Sequence, residues 1–268
     1  MKNKIYRENI DYQDFKKVKR KIKLNTLYNS YQKKTLKYYV GLAKLKKHSK
    51  ALELGCQFAL FNNVFRNYIG IDINPKLIKF ARKLNKKINL KVASATKLPF
   101  KKEIDFLFSF ATIEHIKRPD LVFREIDRVL NKGGTLLLAP AWNCRKYTVQ
   151  KLEHRDYNDL SITLKFSKFF IPLQNNLLLR GIIRLPVRIY DELLYLLKKN
   201  IKFRYTRLYP SYNLWGKYPS QADDDAVVNM DAHSAIMYFI SRGYVCITHN
   251  NLLKRLICRG SPVVLKKI

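Results

Sequence analysis

The stretch from which the rest of the chain can be placed is residues 51–75, ALELGCQFALFNNVFRNYIGIDINP. Ala51 to Leu54 is a short apolar run with Gly55 directly behind it, which reads as a buried strand entering a loop. A loop and short helix carry the chain through Asn67, and Tyr68 to Ile73 reads as a second strand. Pro75 then stands where a helix begins, with Leu77, Ile78 and Ala81 as its apolar face. Two strands joined by a crossover make the start of an open α/β sheet, in which ligands bind beyond the carboxyl ends of the strands. A glycine after the first strand lets the backbone approach a ligand, and the following turn presents free N–H groups. Asp72 ends the second strand 17 residues after Gly55, where a carboxylate accepts hydrogen bonds from both hydroxyls of a ribose. These residues alone fit a dinucleotide or another adenosine compound.

Downstream the same alternation continues. Leu90 to Ala93 is a third strand and Ile104 to Phe110 a fourth; Pro119 opens a helix whose Leu121, Val122, Ile126, Val129 and Leu130 face inward, and Gly133 and Gly134 end it before a fifth strand, Thr135 to Ala139. Residues 142–220 are less regular, rich in Tyr, Leu and Arg, and read as a cap or insertion. Helical periodicity returns over Asp231 to Arg242, Gly243 stops it, and Tyr244 to Thr248 and Pro262 to Leu265 are two closing strands. The predicted fold is α/β: a doubly wound, mostly parallel, seven-stranded Rossmann-like sheet. Its parts are a basic helical N-terminal segment at 1–50, a ligand-binding core at 51–141, the cap at 142–220, and a C-terminal helix with closing strands at 221–268.

The 1–50 segment carries 16 Lys or Arg against 3 Asp or Glu, with Phe15, Val18 and Ile22 at helical spacing and a second apolar set at Leu36, Tyr39 and Val40. The whole chain has a formal net charge of +33, so nucleic acid, anionic lipid and phosphorylated substrates are all candidate partners. Lys is abundant everywhere, however, alongside Ile, Asn and Tyr, which is the pattern of a compositional bias. Cys56, Cys144, Cys246 and Cys258 form no CxxC pair, so neither a zinc site nor a disulfide framework is expected, no metal ligands are assigned, and reduced thiols fit a cytoplasmic setting. Met1 to Ile10 has no apolar h-region, and no run of 18 apolar residues predicts a spanning helix.

Five short pieces, in order, carry a resemblance: Leu-Glu-Leu-Gly-Cys (52–56), Gly-Ile-Asp-Ile-Asn-Pro (70–75), Leu-Pro-Phe (98–100), Ile-Glu-His-Ile (113–116) and Arg-Val-Leu-Asn-Lys-Gly-Gly-Thr-Leu (128–136). Over roughly 51–140 the chain resembles the class I S-adenosylmethionine-dependent methyltransferases, type 11 group. The resemblance implies S-adenosylmethionine as cofactor, with Glu53, Gly55 and Cys56 against its methionine part, Asp72 on the ribose and Ile73 on the adenine. It further implies Ser94 and Ala95 near the adenine amino group, and Phe110 and Ala111 along the wall beside the reactive methyl. Three departures stand out. Gln57 and Ala59 replace loop glycines, only 19 residues separate Glu53 from Asp72, and Ser94 replaces the usual carboxylate.

For the methyl acceptor the signals are sparser. His115, beside Glu114 after the fourth strand, suits a general base that takes a proton from an acceptor hydroxyl, and equally suits a structural role in the loop before Pro119. Asp223, Asp224 and Asp225 stand together in a chain poor in acids. Clustered carboxylates can bind sugar hydroxyls, an amine or a divalent cation, and Asp223 and Asp225 are the candidates for the acceptor, against the alternatives of a solvated loop or the first turn of a helix. The block 209–243 is loosely similar to the tails of methyltransferases found with bacterial glycan enzymes, which favours a small-molecule or glycan-like acceptor. Leu177 to Lys199 carries Arg180, Arg184 and Arg188 at i, i+4, i+8 and suits peripheral contact with anionic membrane, although Gly181 and Pro186 weaken the helix. Two further readings are an RNA methyltransferase, motivated by charge, and a non-enzymatic binding protein that keeps the fold.

Overall fold

The computed structural model describes residues 26–268 apart from 47, 86 and 261. Phe15, Val18 and Ile22 thus lie outside the described residues. The chain divides by contact into two units: residues up to 112 with 120–139 and 264–268, and residues 113–119 with 140–263.

In the first unit, helix α1 (Thr26–Leu42) precedes strand β1 (Lys50–Leu54); then come β2 (Asn67–Asp72), helix α2 (Pro75–Leu84), β3 (Asn89–Val92) and β4 (Ile104–Phe110). Helix α3 (Pro119–Val129) leads into β5 (Leu130–Ala139). Strand β9 (Val263–Lys267) and, from residues grouped with the second unit, β8 (Tyr244–Cys246) complete a seven-stranded sheet of order β3-β2-β1-β4-β5-β9-β8. The pairings β1–β2, β1–β4, β2–β3 and β4–β5 are all parallel. The expected Rossmann-like, mostly parallel sheet is therefore the fold of this chain. The order reverses at β1, so the carboxyl ends of β1 and β4 diverge there and leave a crevice.

The local chemistry accounts for these elements. Asn74 caps α2 by accepting from the backbone N–H of Lys76 at 2.9 Å, Pro75 supplies the preset φ of a first helical residue, and Arg82 and Lys83 meet the negative C-terminal end. Leu77, Ile78, Phe80 and Ala81 bury its inner face, and Val122, Phe123, Ile126 and Val129 do the same for α3. The Leu98–Phe100 segment is clamped by α3: Leu98 N–H donates to Glu125, and the Arg128 guanidinium donates to the carbonyls of Leu98 and Phe100.

One boundary differs from the sequence reading. Helix α3 ends at Val129 and β5 starts at Leu130, running straight through Gly133 and Gly134. Leu130 pairs with Ile104, the register then shifts before Phe106 meets Thr135, and Gly133 takes φ +80 within that irregularity. The two glycines thus shape a bulged strand entry and do not stop a helix.

The second unit holds α4 (Lys146–Val149), α5 (Ile162–Phe169), α6 (Ile171–Asn175), α7 (Leu177–Leu196), a two-stranded antiparallel ribbon of β6 (Tyr205–Arg207) and β7 (Val228–Met230), then α8 (Ala232–Ile240) and α9 (Leu252–Leu256). Helix α7 continues through Gly181 and Pro186, and it is inside out. Its buried residues are Arg188, Asp191 and Glu192, while most of its Leu and Ile side chains are exposed. Arg188 makes a two-pronged contact with Asp231 at 3.0 and 2.7 Å, Arg255 does the same to Glu192 at 2.7 Å on each prong, and Arg204 pairs with Asp191. The four cysteines are free and buried, one in the first unit and three in the second.

Candidate active site

In the first unit, the carboxyl ends of β1 and β4 converge on a cleft of about 220 Å³. Glu53 and Gly55 form one side, Phe110 and Ala111 another, and Gln57, Phe58 and Phe61 come from the loop between β1 and β2. Gly55 has φ +73, and a Cβ there would lie 2.3 Å from the Thr112 side chain, so glycine is required both by conformation and by space. Its N–H and that of Cys56 both donate to the Ile71 carbonyl at 2.9 Å, which turns the chain sharply away from the strand.

The two loop departures have a plain conformational reading. Gln57 has φ 46 and Ala59 φ 54, so both occupy the left-handed region that favours glycine. The loop keeps a glycine-type path although glycine is absent. Asp72 anchors it: its Oδ2 accepts from the Gln57 N–H at 3.0 Å, and its Oδ1 accepts from the Asn74 N–H at 2.8 Å. Burial nevertheless raises the Asp72 carboxyl above its ordinary value, against the lowering effect of those N–H groups.

Glu53 is buried too, 4% exposed. Burial pushes its carboxyl up to about 8; the Tyr68 hydroxyl, which donates to Oε2, lowers it, and the nearby Asp72 charge raises it. Cys56 is buried beside it, its thiol driven upward by burial and by the charges of Glu53 and Asp72. The cleft thus holds a buried carboxyl with no cation among its described partners, a second carboxylate behind its loop that accepts from the Gln57 N–H, and no Lys or Arg in its lining. Those properties fit an S-adenosylmethionine molecule, whose ammonium and ribose hydroxyls need acceptors of this kind.

Glu53, Gly55, Cys56, Phe110 and Ala111 are brought together in this lining, and Asp72 is tied to it through Gln57. Ile73, 54% exposed, and Ser94 and Ala95 are outside the lining; the Ser94 hydroxyl is engaged with Thr96 at 2.8 Å. Sequence reasoning missed Gln32 on α1, Phe58, Leu60 and Phe61, which complete the cleft. It also missed Tyr68 as the partner of Glu53. Strand β2 is buried continuously from Tyr68 onward, so no alternation in the sequence singles Tyr68 out.

In the second unit, the three acceptor candidates meet. His115 Nδ1 faces Asp225 Oδ2 at 3.6 Å, and burial raises both Asp223 and Asp225, opposed by the proximity of His115. Glu114 is fully buried; Oε1 accepts from the Ala141 N–H at 3.1 Å, while Oε2 has no partner. Asp224 stands apart from its neighbours, turned onto the buried Lys151, which also donates to the Pro219 carbonyl at 2.8 Å. The middle aspartate fixes the loop, and the flanking two are left facing the histidine.

Residues 52–138 match the family model of a methyltransferase domain. A curated ubiquinone biosynthesis O-methyltransferase of Pelagibacter ubique is 34% identical over 101 residues, 35% of this chain and 42% of that protein. An uncharacterised protein of Methanocaldococcus jannaschii is 28% identical over 130 residues, covering 46% of this chain and 62% of that one. The chain therefore spans less than two thirds of either relative. Among solved structures, a putative sarcosine dimethylglycine methyltransferase from Galdieria sulphuraria aligns with a TM-score of 0.41 and 19% identity, over 46% of this chain and 51% of that one. The family match falls on the strands that build the cleft, and over residues 52–138 the chain is similar to the class I S-adenosylmethionine-dependent methyltransferases.

Proposed function

We propose that this chain transfers a methyl group from S-adenosylmethionine to an oxygen or nitrogen of a small-molecule or glycan-like acceptor. The observation that carries the reading is the cleft at the ends of β1 and β4, which offers the buried Glu53 carboxyl and a glycine-type turn anchored by Asp72 but no cation. Glu53 receives the ammonium of the donor, Asp72 the ribose hydroxyls, Ile73 the adenine face, and Ser94 with Ala95 its amino edge. Phe110 and Ala111 form the wall that excludes water near the transferred methyl.

When bound, S-adenosylmethionine supplies a methyl group already activated by a sulfonium, so the protein's task is alignment more than activation. His115 follows Ala111 by four residues along the chain. In this reading its imidazole takes the proton of an acceptor hydroxyl or ammonium, and Asp225 stabilises the imidazolium that results. Asp223 and Asp225 also hold the acceptor's remaining hydroxyls or amine. The name of the Pelagibacter ubique relative favours oxygen as the atom methylated. Absence of Lys and Arg from the cleft lining weighs against RNA as acceptor, because a nucleic-acid site needs phosphate-neutralising cations at its mouth. Four free buried thiols fit a reducing, cytoplasmic setting.

Titration calorimetry with S-adenosylmethionine and S-adenosylhomocysteine tests donor binding; absence of heat with either leaves the non-enzymatic alternative. Labelled-methyl transfer into a fractionated extract then reads the acceptor. Label in the small-molecule or glycan pool is the expected result, and label confined to RNA overturns the acceptor class.

A further inference from the structure

The inside-out polarity of α7 is foreign to a helix whose outer face meets water. Leu178 is 74% exposed, Ile182 67% and Leu196 73%, while Arg188 is 5% exposed. Burying charge and exposing leucine raises the free energy of a helix in water on both faces, unless the outer face meets an apolar medium. The charged inner face is compensated by the arginine–carboxylate contacts to Asp231, Asp191 and Glu192. The outer face has no such compensation.

Against this face lies a second cavity, about 240 Å³, whose lining includes Arg180, Arg184, Arg188 and Arg259 and no Asp or Glu. Arg188 and Arg184 share Asp231, at 2.7 and 3.9 Å. Arg180 and Arg259 have no carboxylate partner among the described residues, and the Arg180 Nε is buried without a hydrogen bond. Burial and the neighbouring charges of Arg145, Arg184 and Arg259 push the Arg180 guanidinium down to about 10. A cluster of cations held together in this way calls for an anion. The rim is apolar: Leu177, Leu178, Ile182 and Ile257 are all exposed and all line the cavity.

An anion site ringed by exposed aliphatic side chains matches the boundary of a lipid leaflet, where phosphate and acyl chain meet. We propose that the second unit docks on an anionic membrane surface, with α7 at the lipid interface and the arginine cavity holding a lipid headgroup phosphate. RNA offers phosphates but nothing for the leucines, and an apolar protein partner leaves the arginines unanswered. A helix of 20 residues spans roughly 30 Å. Among the described residues no helix is apolar enough to cross a membrane, so α7 lies in the interface plane. This inference is independent of the methyl-transfer reading and stands or falls without it.

Co-sedimentation of the full chain with vesicles of phosphatidylcholine, alone or mixed with phosphatidylglycerol, tests it. Binding is expected only with the anionic vesicles. Arg180→Gln with Arg259→Gln should weaken it by about tenfold. Leu178→Ser with Ile182→Ser, which leaves the charge unchanged, should weaken it by a similar factor. All four positions lie outside the ion pairs of the unit, and an unaltered thermal midpoint verifies folding. No vesicle binding overturns the proposal, as does binding that the serine pair leaves intact, which would be adsorption by net charge. Displacement by inorganic phosphate as effective as by lipid overturns the lipid source in favour of a soluble anion. Binding of an RNA oligonucleotide that the glutamine pair abolishes, without vesicle binding, assigns the cavity to nucleic acid. Self-association that the serine pair dissolves, again without vesicle binding, assigns the face to a second copy of this chain.

Discussion

Two sets of buried carboxyl groups in this molecule have opposite fates. In the second unit, Asp191, Glu192 and Asp231 each meet an arginine; burial pushes Glu192 up, but hydrogen bonds from Arg255 and His233 outweigh it and hold it below its ordinary value. In the first unit, Glu53 and Asp72 are met by a tyrosine hydroxyl and by backbone N–H groups, and both stay raised. Asp and Glu occur in both sets, and all but the half-buried Asp231 are buried. What differs is whether the fold supplies the counter-charge, and a carboxyl group left without one is available to a ligand.

The widest separation between the two sets should appear in stability. Glu192→Ala leaves Arg255 and the fully buried His233 without their carboxylate and should cost about 3 kcal/mol, read from the urea midpoint. Because Glu192 lies below its ordinary value when folded, its contribution is present above that value and lost as the pH falls through the folded one. Donor affinity should be unaffected in this variant; a parallel loss of affinity would erase the distinction.

The converse experiment is Asp72→Ala, which should lose about 1.5 to 3 kcal/mol of S-adenosylmethionine binding in calorimetry, with a smaller shift in midpoint than Glu192→Ala. Unchanged affinity would place the donor elsewhere.

A third, subtler difference is protonic. Glu53 is held at about 8, so it keeps its proton at neutral pH, and its contribution to stability falls as the pH rises from its ordinary value through about 8. An ammonium placed beside it expels that proton. Donor affinity should therefore climb as the pH approaches about 8, with release of about one proton at neutral pH seen as a buffer-dependent heat. Glu53→Gln should remove the dependence. The smallest effect belongs to the loop between them: Gln57→Gly relieves a left-handed backbone and should add about 0.5 to 1 kcal/mol to stability.

The first unit was largely legible because its strands and helices carry their own periodicity. Apolar runs at 51–54 and 104–110, and the Asn74-Pro75 start of α2, place the crevice from the sequence alone. Gln32 was not legible, since α1 precedes every motif and nothing in its composition marks one polar residue as cleft-lining. In the second unit, spacing identified α7 as two-faced but not which face turns inward. That depends on partners such as Arg255, 63 residues beyond Glu192, which no local pattern reveals. Nor did the short strands of the β6–β7 ribbon announce themselves, each being 3 residues long and framed by irregular chain.

The cysteines turn this two-part construction into something that can be timed. Cys56 sits in the first unit; Cys144, Cys246 and Cys258 sit in the second, and burial raises every one of these thiols. A thiol so protected meets an alkylating reagent only when its surroundings open. The native chain thus carries one intrinsic reporter in its donor-binding half and three in the other. The order in which they are modified under mild denaturant records which half lets go first, with no label introduced from outside.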